Sequence, residues 1–218
     1  MRYLRRYSDS ERIIHWAVAL LFILAALSGL ALFHPTLFFF SNAVGGASLA
    51  RIFHPFIGVL MTLLFVYLFF RMWHHNNWTP TDTKWIANAG SLMKGDKSGM
   101  PPVGRYNAGQ KAVFWLMTIT LIGLLFTGIV FWRPYFADAF PIPLQRLAVL
   151  LHAIAALALV LGIITHIYAA IWVKGTTRAM TRGTVTENWA RLNHPIWHRE
   201  MLDGQRPPAA ARYSAHDS

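Results

Sequence analysis

The segment Leu147–Val173 reads LAVLLHAIAALALVLGIITHIYAAIWV and contains no Asp, Glu, Lys or Arg. It is longer than the roughly 20 apolar residues that a helix needs to cross a lipid bilayer. His152 and His166 interrupt its apolar character. Because an imidazole is costly to place in hydrocarbon, a histidine inside a membrane span is a candidate functional residue.

These two histidines lie 14 residues apart, which is two heptads. In a left-handed helical bundle, a spacing of two heptads returns both side chains to the same face of the helix. A rise of about 1.5 Å per residue separates them by about 21 Å along the helix axis. One face of this helix therefore offers a nitrogen ligand near each side of the membrane.

Three further stretches lack charged residues and are long enough to span a membrane. They are Ile13–Ala50, whose apolar run is roughly 13–33, together with Ile52–Phe70 and Ala112–Trp132. Only 13% of the chain is charged, against about a quarter in soluble domains. We therefore predict an all-α fold, a four-transmembrane-helix bundle. The predicted spans are about 13–33, 52–73, 111–132 and 147–173 in one membrane domain over residues 1–200, followed by a disordered cytoplasmic tail over residues 201–218.

The start of the chain has two interpretations. Three arginines within the first six residues, followed by an apolar run, are typical of a signal peptide. We reject this interpretation because the run is longer than the roughly 7–15 residues of the apolar region of a signal peptide and no clear cleavage site follows it. Instead, Ser8 and Glu11 form the S-x-x-E pattern of a capping box, which predicts a first helix that starts just before His15.

The basic residues predict the topology. Of the 20 lysines and arginines, 17 lie before the first span, between the end of the second and the start of the third, or after the fourth. Only Arg51, Arg133 and Arg146 belong to the other side. The positive-inside rule then predicts that the N and C termini are both cytoplasmic. The net charge of +11 therefore suits anionic membrane lipids, and we expect no nucleic acid partner.

The predicted topology gives each of four histidines a depth in the membrane. His54 starts the second span and His152 lies near the start of the fourth, so both belong to the outer side. His15 starts the first span and His166 lies near the end of the fourth, so both belong to the inner side. Each depth therefore combines imidazoles from two different helices. This arrangement predicts two b-type haems stacked across the bilayer, each held between two neutral imidazoles.

The composition limits the other cofactors. The absence of cysteine excludes cysteine-ligated iron–sulfur clusters and thioether-attached haem. A zinc site is less favoured, because the four histidines occupy two depths and no carboxylate lies nearby. A single histidine at a membrane interface is most often just a polar interfacial residue, and we interpret six others as structural or interfacial. They are His34, His74, His75, His194, His198 and His216.

Six stretches carry a pattern that extends in order over about residues 8–200. They are Glu11–Trp16 (ERIIHW), Arg51–Phe56 (RIFHPF), Arg71–Asn76 (RMWHHN), Gly104–Lys111 (GRYNAGQK), Trp132–Phe136 (WRPYF) and His166–Gly175. The pattern resembles the cytochrome b (gamma) subunit of respiratory membrane-bound formate dehydrogenases. The four helices with paired histidines are shared with hydrogenase and thiosulfate-reductase cytochromes. The R-Y-N-x-G-Q-K and W-R-P-Y-F stretches are more specific to the formate dehydrogenase branch.

The resemblance implies roles for individual residues. His54 and His152 would bind the iron of the outer haem, and His15 and His166 the iron of the inner haem. A quinone site would lie beside the inner haem, near His166. Its residues would be Asn107, Gly109 and Gln110, in a loop whose backbone N–H groups can donate to a quinone oxygen. From the residues alone a second interpretation stays open, in which Asn107 only caps the third span.

The implied function is transmembrane electron transfer by a multi-pass protein of the bacterial inner membrane. Electrons would pass from a periplasmic formate-oxidising and iron–sulfur partner to a quinone, menaquinone or ubiquinone, reduced near the cytoplasmic side. The implied partners are an iron–sulfur beta subunit and a catalytic alpha subunit with molybdenum or tungsten, so this chain would perform no formate chemistry itself. The alternatives are a cytochrome b subunit of a hydrogenase or another molybdenum enzyme, and a non-redox membrane anchor.

Overall fold

The computed structural model describes residues 2–93, 95–96, 98–133 and 135–204. Its elements, in chain order, are β1 (Tyr3–Arg5), α1 (Asp9–Phe33), a 3-10 helix (Pro35–Val44), α2 (Ala47–Met72), a 3-10 helix (Trp73–His75), α3 (Pro80–Ala87), α4 (Ala89–Met93), α5 (Ala108–Phe131), a 3-10 helix (Ala137–Ala139), α6 (Ile142–Trp172), α7 (Thr177–Arg182), β2 (Thr184–Thr186), α8 (Glu187–Asn193) and α9 (Pro195–Asp203).

The described residues divide into two compact units. The bundle unit comprises Ser8–Asn76 and Ala112–Lys174. The connection unit comprises the described residues within Met1–Tyr7, Asn77–Lys111 and Gly175–Ser218. The sequence predicted one domain over residues 1–200. That single membrane domain stays a prediction; within the described residues, the polar segments outside the spans bury a core of their own.

The bundle unit contains the four predicted membrane helices. The long helices α1, α2, α5 and α6 each have the length and apolar composition of a membrane span. Their outward side chains are apolar too: Phe126, Leu157 and Ile164 are 65%, 61% and 57% exposed. A helix that is apolar on every side suits lipid and not water. The predicted all-α fold with four membrane-spanning helices is therefore confirmed.

The first helix begins as predicted. The Ser8 hydroxyl accepts from the Glu11 backbone N–H at 3.3 Å, and the Glu11 carboxylate accepts from the Ser8 backbone N–H at 2.8 Å. This reciprocal capping box fixes the start of α1 at Asp9. The buried Glu11 side chain also forms an ion pair with Arg71 of α2, with an N–O distance of 3.4 Å. The box therefore holds the carboxylate that links the two helices.

The fourth helix starts earlier than the predicted span. The sequence predicted a fourth span from about residue 147, but α6 begins at Ile142. Pro141 is its N-cap and Pro143 lies in its first turn. Backbone N–H groups have no partner within the helix there, so a proline loses no hydrogen bond. The two prolines are therefore compatible with the earlier start of α6.

The connection unit contains a short antiparallel strand pair that the sequence did not predict. Leu4 of β1 pairs with Val185 of β2, and both side chains are buried. Strands of three residues are too short to show an alternating pattern. At the other end of the chain, α9 continues to Asp203, so residues 201–203 of the predicted tail are helical. The rest of that tail, residues 205–218, lies outside the described residues.

A buried arginine occupies the core of the connection unit. Arg6 is only 3% exposed and donates from Nη2 to the backbone carbonyl of Arg105 at 2.6 Å. Arg105 donates in return to the backbone carbonyl of Arg6. The Arg6 guanidinium carbon lies 4.8 Å from the Trp197 ring centroid and 5.2 Å from that of Trp189. Carbonyl oxygens and aromatic faces thus compensate the buried cation.

His194 lies against this arginine and is itself buried. Its Nδ1 is 2.8 Å from the Gly104 carbonyl oxygen, and its Nε2 is 3.4 Å from Nη2 of Arg6. The carbonyl can only accept and the guanidinium can only donate, so the ring carries its proton on Nδ1. Burial, and then the positive charge of Arg6, lower the pKa of His194 from 6.5 to about 3.

We expect the connection unit to lose stability in acid. Between about pH 6.5 and pH 3, an unfolded chain protonates His194 and the folded chain does not. Each unit by which the pH falls in this range therefore lowers the free energy of unfolding by about 1.4 kcal/mol. Hydrogen exchange of the α8 amides, corrected for intrinsic rates, should show less protection at pH 5 than at pH 7. The variant His194→Gln should remove this difference. Equal loss of protection in the variant and the wild type would contradict the assignment.

Candidate functional site

The structure brings His15 and His166 together. His15 lies near the start of α1 and His166 near the end of α6. Their ring centroids are 6.3 Å apart, and the ring planes are tilted by 48°. The two helices run in opposite directions, so an early residue of one meets a late residue of the other. The depth argument predicted this pair.

His54 and His152 form the second pair. His54 belongs to α2 and His152 to α6. Their ring centroids are also 6.3 Å apart, with an angle of 67° between the planes. The α6 helix therefore contributes one histidine to each pair, 14 residues apart.

The ring separation fits a metal ion between each pair. An imidazole nitrogen binds a metal at about 2 Å, so two imidazoles on opposite sides of one metal place their ring centroids roughly 6 Å apart. Two protein ligands alone do not complete the shell of a bare ion. Within the described ranges, no group of three or more His, Asp or Glu side chains is arranged to hold one. The donor set suits a metal whose other ligands come from a macrocycle, as in haem.

Two hydroxyl groups hold the His54–His152 pair. Ser28 Oγ of α1 lies 3.0 Å from Nδ1 of His54. Thr127 Oγ1 of α5 lies 3.0 Å from Nδ1 of His152. The pair is therefore contacted by all four long helices, since α2 and α6 supply the rings. The sequence reasoning missed both hydroxyl residues.

A glycine follows each hydroxyl residue and lies against the same ring. A Cβ atom added at Gly29 would be 3.0 Å from Cε1 of His54, which is too close without a shift. A Cβ atom added at Gly128 would be 3.4 Å from Cε1 of His152. The repeated dipeptide Ser-Gly or Thr-Gly in a membrane span is the sequence signal that identifies these positions.

The predicted quinone residues form a capping box at the start of α5. The Asn107 side-chain oxygen accepts from the Gln110 backbone N–H at 2.9 Å, and the Gln110 side-chain oxygen accepts from the Asn107 backbone N–H at 3.0 Å. Gly109 lies against Trp85, where an added Cβ would be 3.3 Å from the indole ring. Asn107 therefore caps α5, and the box leaves the Gln110 amide NH2 group unused.

A buried ion pair fixes this loop against α3. Lys111 Nζ lies 2.7 Å from Oδ2 of Asp82, and it also donates to the Asn77 carbonyl at 2.9 Å. Burial alone would raise the pKa of Asp82, but hydrogen bonds from Lys111 and Thr79 lower it overall. The carboxylate therefore stays charged and retains Lys111 as its partner.

The other histidines of the described chain make structural contacts. His34 caps the 3-10 helix by accepting from the Thr36 backbone N–H at 3.2 Å. His74 stacks on Trp73, with ring centroids 4.1 Å apart. His198 lies 3.3 Å from the Glu187 carboxylate. These contacts agree with the structural interpretation of these residues. His216 lies outside the described residues.

Comparison with known proteins identifies relatives along most of the chain. The family model described as prokaryotic cytochrome b561 matches residues 6–183. The formate dehydrogenase cytochrome b556(fdo) subunit of Escherichia coli strain K12 is 49% identical over 196 residues, which cover 90% of this chain and 92% of the relative. The nitrate-inducible cytochrome b556(Fdn) subunit of the same strain is 40% identical over 191 residues, 88% of either chain.

A relative from another organism agrees. The formate dehydrogenase cytochrome b556 subunit of Haemophilus influenzae is 40% identical over 197 residues, which cover 90% of this chain and 83% of the relative. A cytochrome b carries b-type haem, which suits the histidine pairs described above. With its four apolar helices, the chain is a multi-pass integral membrane protein, and a bacterial inner membrane is consistent with the relatives in E. coli. It belongs to the prokaryotic cytochrome b561 family, among the cytochrome b subunits of formate dehydrogenases.

Proposed function

We propose that the chain is a di-haem b membrane subunit that carries electrons from a periplasmic formate-oxidising and iron–sulfur partner across the membrane to a quinone. The observation that carries this proposal is that the two histidine pairs have the same ring separation of 6.3 Å. The α6 members of the two pairs, His152 and His166, lie 14 residues apart. The names of the relatives, which are subunits of formate dehydrogenases, supply the donor. The partners are then an iron–sulfur beta subunit and a molybdenum- or tungsten-containing alpha subunit.

The residues define the kind of chemistry. A b-type haem supplies a one-electron couple at its iron. Two imidazoles at each site would hold the haem iron and would leave it no ligand position for a substrate or for oxygen. The neighbouring apolar side chains provide no acid or base for bond-breaking chemistry. The chain therefore transfers electrons, and formate oxidation belongs to another subunit.

The charge distribution supports the direction of transfer. Since 17 of the 20 lysines and arginines lie beside one set of helix ends, both termini are proposed to be cytoplasmic. His15 and His166 then form the cytoplasmic pair, and His54 and His152 the periplasmic pair. Moving one charge across 100 mV is worth about 2.3 kcal/mol. Electron transfer towards the cytoplasm would therefore store free energy in the membrane potential.

The quinone proposal depends on donors that the capping box does not use. The box satisfies the backbone N–H groups of Asn107 and Gln110. The N–H groups of Ala108 and Gly109 in the first turn, together with the Gln110 side-chain NH2 group, are not part of it. Such groups at a helix N-terminus suit a carbonyl oxygen that gains negative charge during reduction. Menaquinone and ubiquinone both carry that oxygen.

We expect the loss of either histidine of a pair to remove the haem of that pair, because each haem needs both of its ligands. Each of His15→Ala, His54→Ala, His152→Ala and His166→Ala should halve the b-type haem content, read from reduced-minus-oxidised optical spectra of the purified complex. The double variant within a pair, His54→Ala with His152→Ala, should still retain half. The double variant across pairs, His15→Ala with His54→Ala, should retain none.

His34→Asn is the matched control for these variants, because it keeps a side-chain acceptor at a cap and lies in neither pair. It should retain the full haem content. The proposal of two separate sites is wrong if the double variant within a pair loses all haem, or if the double variant across pairs retains half.

A change of Gln110 to Glu separates the quinone role from the capping role. Glutamate at this position preserves the capping box but replaces the NH2 donor with an acceptor. We expect a rise of roughly tenfold in the KM for quinone, the size of one lost hydrogen bond, with unchanged haem spectra. Unchanged quinone kinetics in a variant with intact haem would limit Gln110 to capping α5.

A further inference from the structure

The two histidines of the His54–His152 pair are held by the same local device. In each case a hydroxyl residue and the glycine after it belong to a neighbouring helix: Ser28 and Gly29 in α1, Thr127 and Gly128 in α5. The hydroxyl oxygen lies 3.0 Å from Nδ1 in both cases. Two different helices therefore repeat the arrangement against two different histidines.

The hydroxyl protons have other partners, which settles the direction of these hydrogen bonds. Ser28 Oγ donates to the Leu24 carbonyl at 2.7 Å, and Thr127 Oγ1 donates to the Gly123 carbonyl at 2.6 Å. A hydroxyl has a single proton, so each oxygen can only accept from the imidazole. Nδ1 of His54 and of His152 is therefore protonated. The lone pair of each ring is on Nε2, the nitrogen available to a metal.

The glycines allow each ring to approach its hydroxyl partner. An alanine at Gly29 would have its Cβ 3.0 Å from Cε1 of His54, and an alanine at Gly128 would have its Cβ 3.4 Å from Cε1 of His152. Cε1 is the ring carbon between the two nitrogens. A side chain at Gly29 would therefore push the His54 ring away from the oxygen that accepts from Nδ1, whereas a Cβ at Gly128 would be in ordinary contact with the His152 ring.

The other pair differs. Nδ1 of His15 is buried and has no hydrogen-bond partner among the described residues. A metal-bound imidazole that donates its second N–H to an acceptor becomes a stronger electron donor to the metal. The hydroxyl oxygens are polarised further by their own bonds to backbone carbonyls. His54 and His152 are therefore more electron-donating ligands than His15.

We propose that Ser28 and Thr127 are positioning residues that fix the Nδ1–H form of His54 and His152 and lower the reduction potential of the haem held by this pair. The inference depends on the di-haem function proposed above. More electron donation stabilises the oxidised iron. Loss of either hydroxyl should therefore raise the potential of this haem and leave that of the other unchanged.

The test is a potentiometric titration of the purified complex, followed in the optical bands of reduced b-type haem. In Ser28→Ala and in Thr127→Val, one of two haem components should move to higher potential, with a several-fold rise in its ratio of reduced to oxidised haem at a fixed solution potential. The component that moves should be the one that persists in His15→Ala. Thr127→Ser keeps the hydroxyl and should behave like the wild type.

Thr120→Val is the matched control on the same helix. Thr120 Oγ1 donates to the Leu116 carbonyl at 2.7 Å, as Thr127 does to Gly123, but its hydrogen bonds are to backbone carbonyls alone. Its loss should move neither component. Selective loss of the His54–His152 haem in Thr127→Val, with Thr120→Val intact, would also support positioning. Equal shifts in Thr120→Val and Thr127→Val would contradict it.

The failures of the two proposals are distinguishable. If the wild type shows two haem components and neither moves in Ser28→Ala or Thr127→Val, the positioning role is wrong and the di-haem function stands. Loss of both haems in Thr127→Val alone would also overturn a role specific to one site. If the wild type itself contains a single haem, the proposed function fails, and the inference fails with it.

Discussion

Each histidine buried among the four apolar helices has two ring nitrogens that need polar partners, and the bundle is organised around that requirement. Apolar spans offer few polar atoms other than backbone carbonyls already used in helices. Ser28 and Thr127 supply an oxygen for Nδ1 while returning their own protons to carbonyls of the preceding turn. That leaves Nε2 to be satisfied by something between the two rings. Because an unpartnered polar group is costly in a low dielectric, a ligand between the rings stabilises the protein as well as serving its function.

Between the two histidine pairs lies a layer of apolar side chains. A small cavity there is lined by Val18, Phe22, Met61, Phe65, Met117, Leu121, Leu159 and Ile163. Leu159 lies seven residues, one heptad, from both His152 and His166 on α6. The same heptad spacing that aligns the two histidines therefore places an apolar side chain between them. An apolar lining of this kind is unfavourable for water and ions in the middle of the bundle.

The sequence was sufficient to predict the spans and the histidine pairs. The charges near the helix ends predict the direction in which each helix crosses the membrane, and this direction gives each histidine a depth. Equal depth is what pairs His15 with His166 and His54 with His152. The connection unit was not predictable in this way. Its core is a buried Arg6 surrounded by aromatic rings, and a composition argument assigns an arginine near a span to the membrane surface. The three-residue strands and the hydrogen bond between Ser28 and His54 both depend on contacts between segments that are far apart in the sequence. A single sequence does not reveal such contacts.

The central claim is that the four histidines form two complete haem sites in one chain. The ratio of haem to polypeptide, measured by pyridine haemochrome absorbance and quantitative amino-acid analysis of the purified complex, tests it most directly. The account predicts two b-type haems for each copy of this chain. A ratio of one would contradict it, because one of the two histidine pairs would then lack the ligand that its geometry requires.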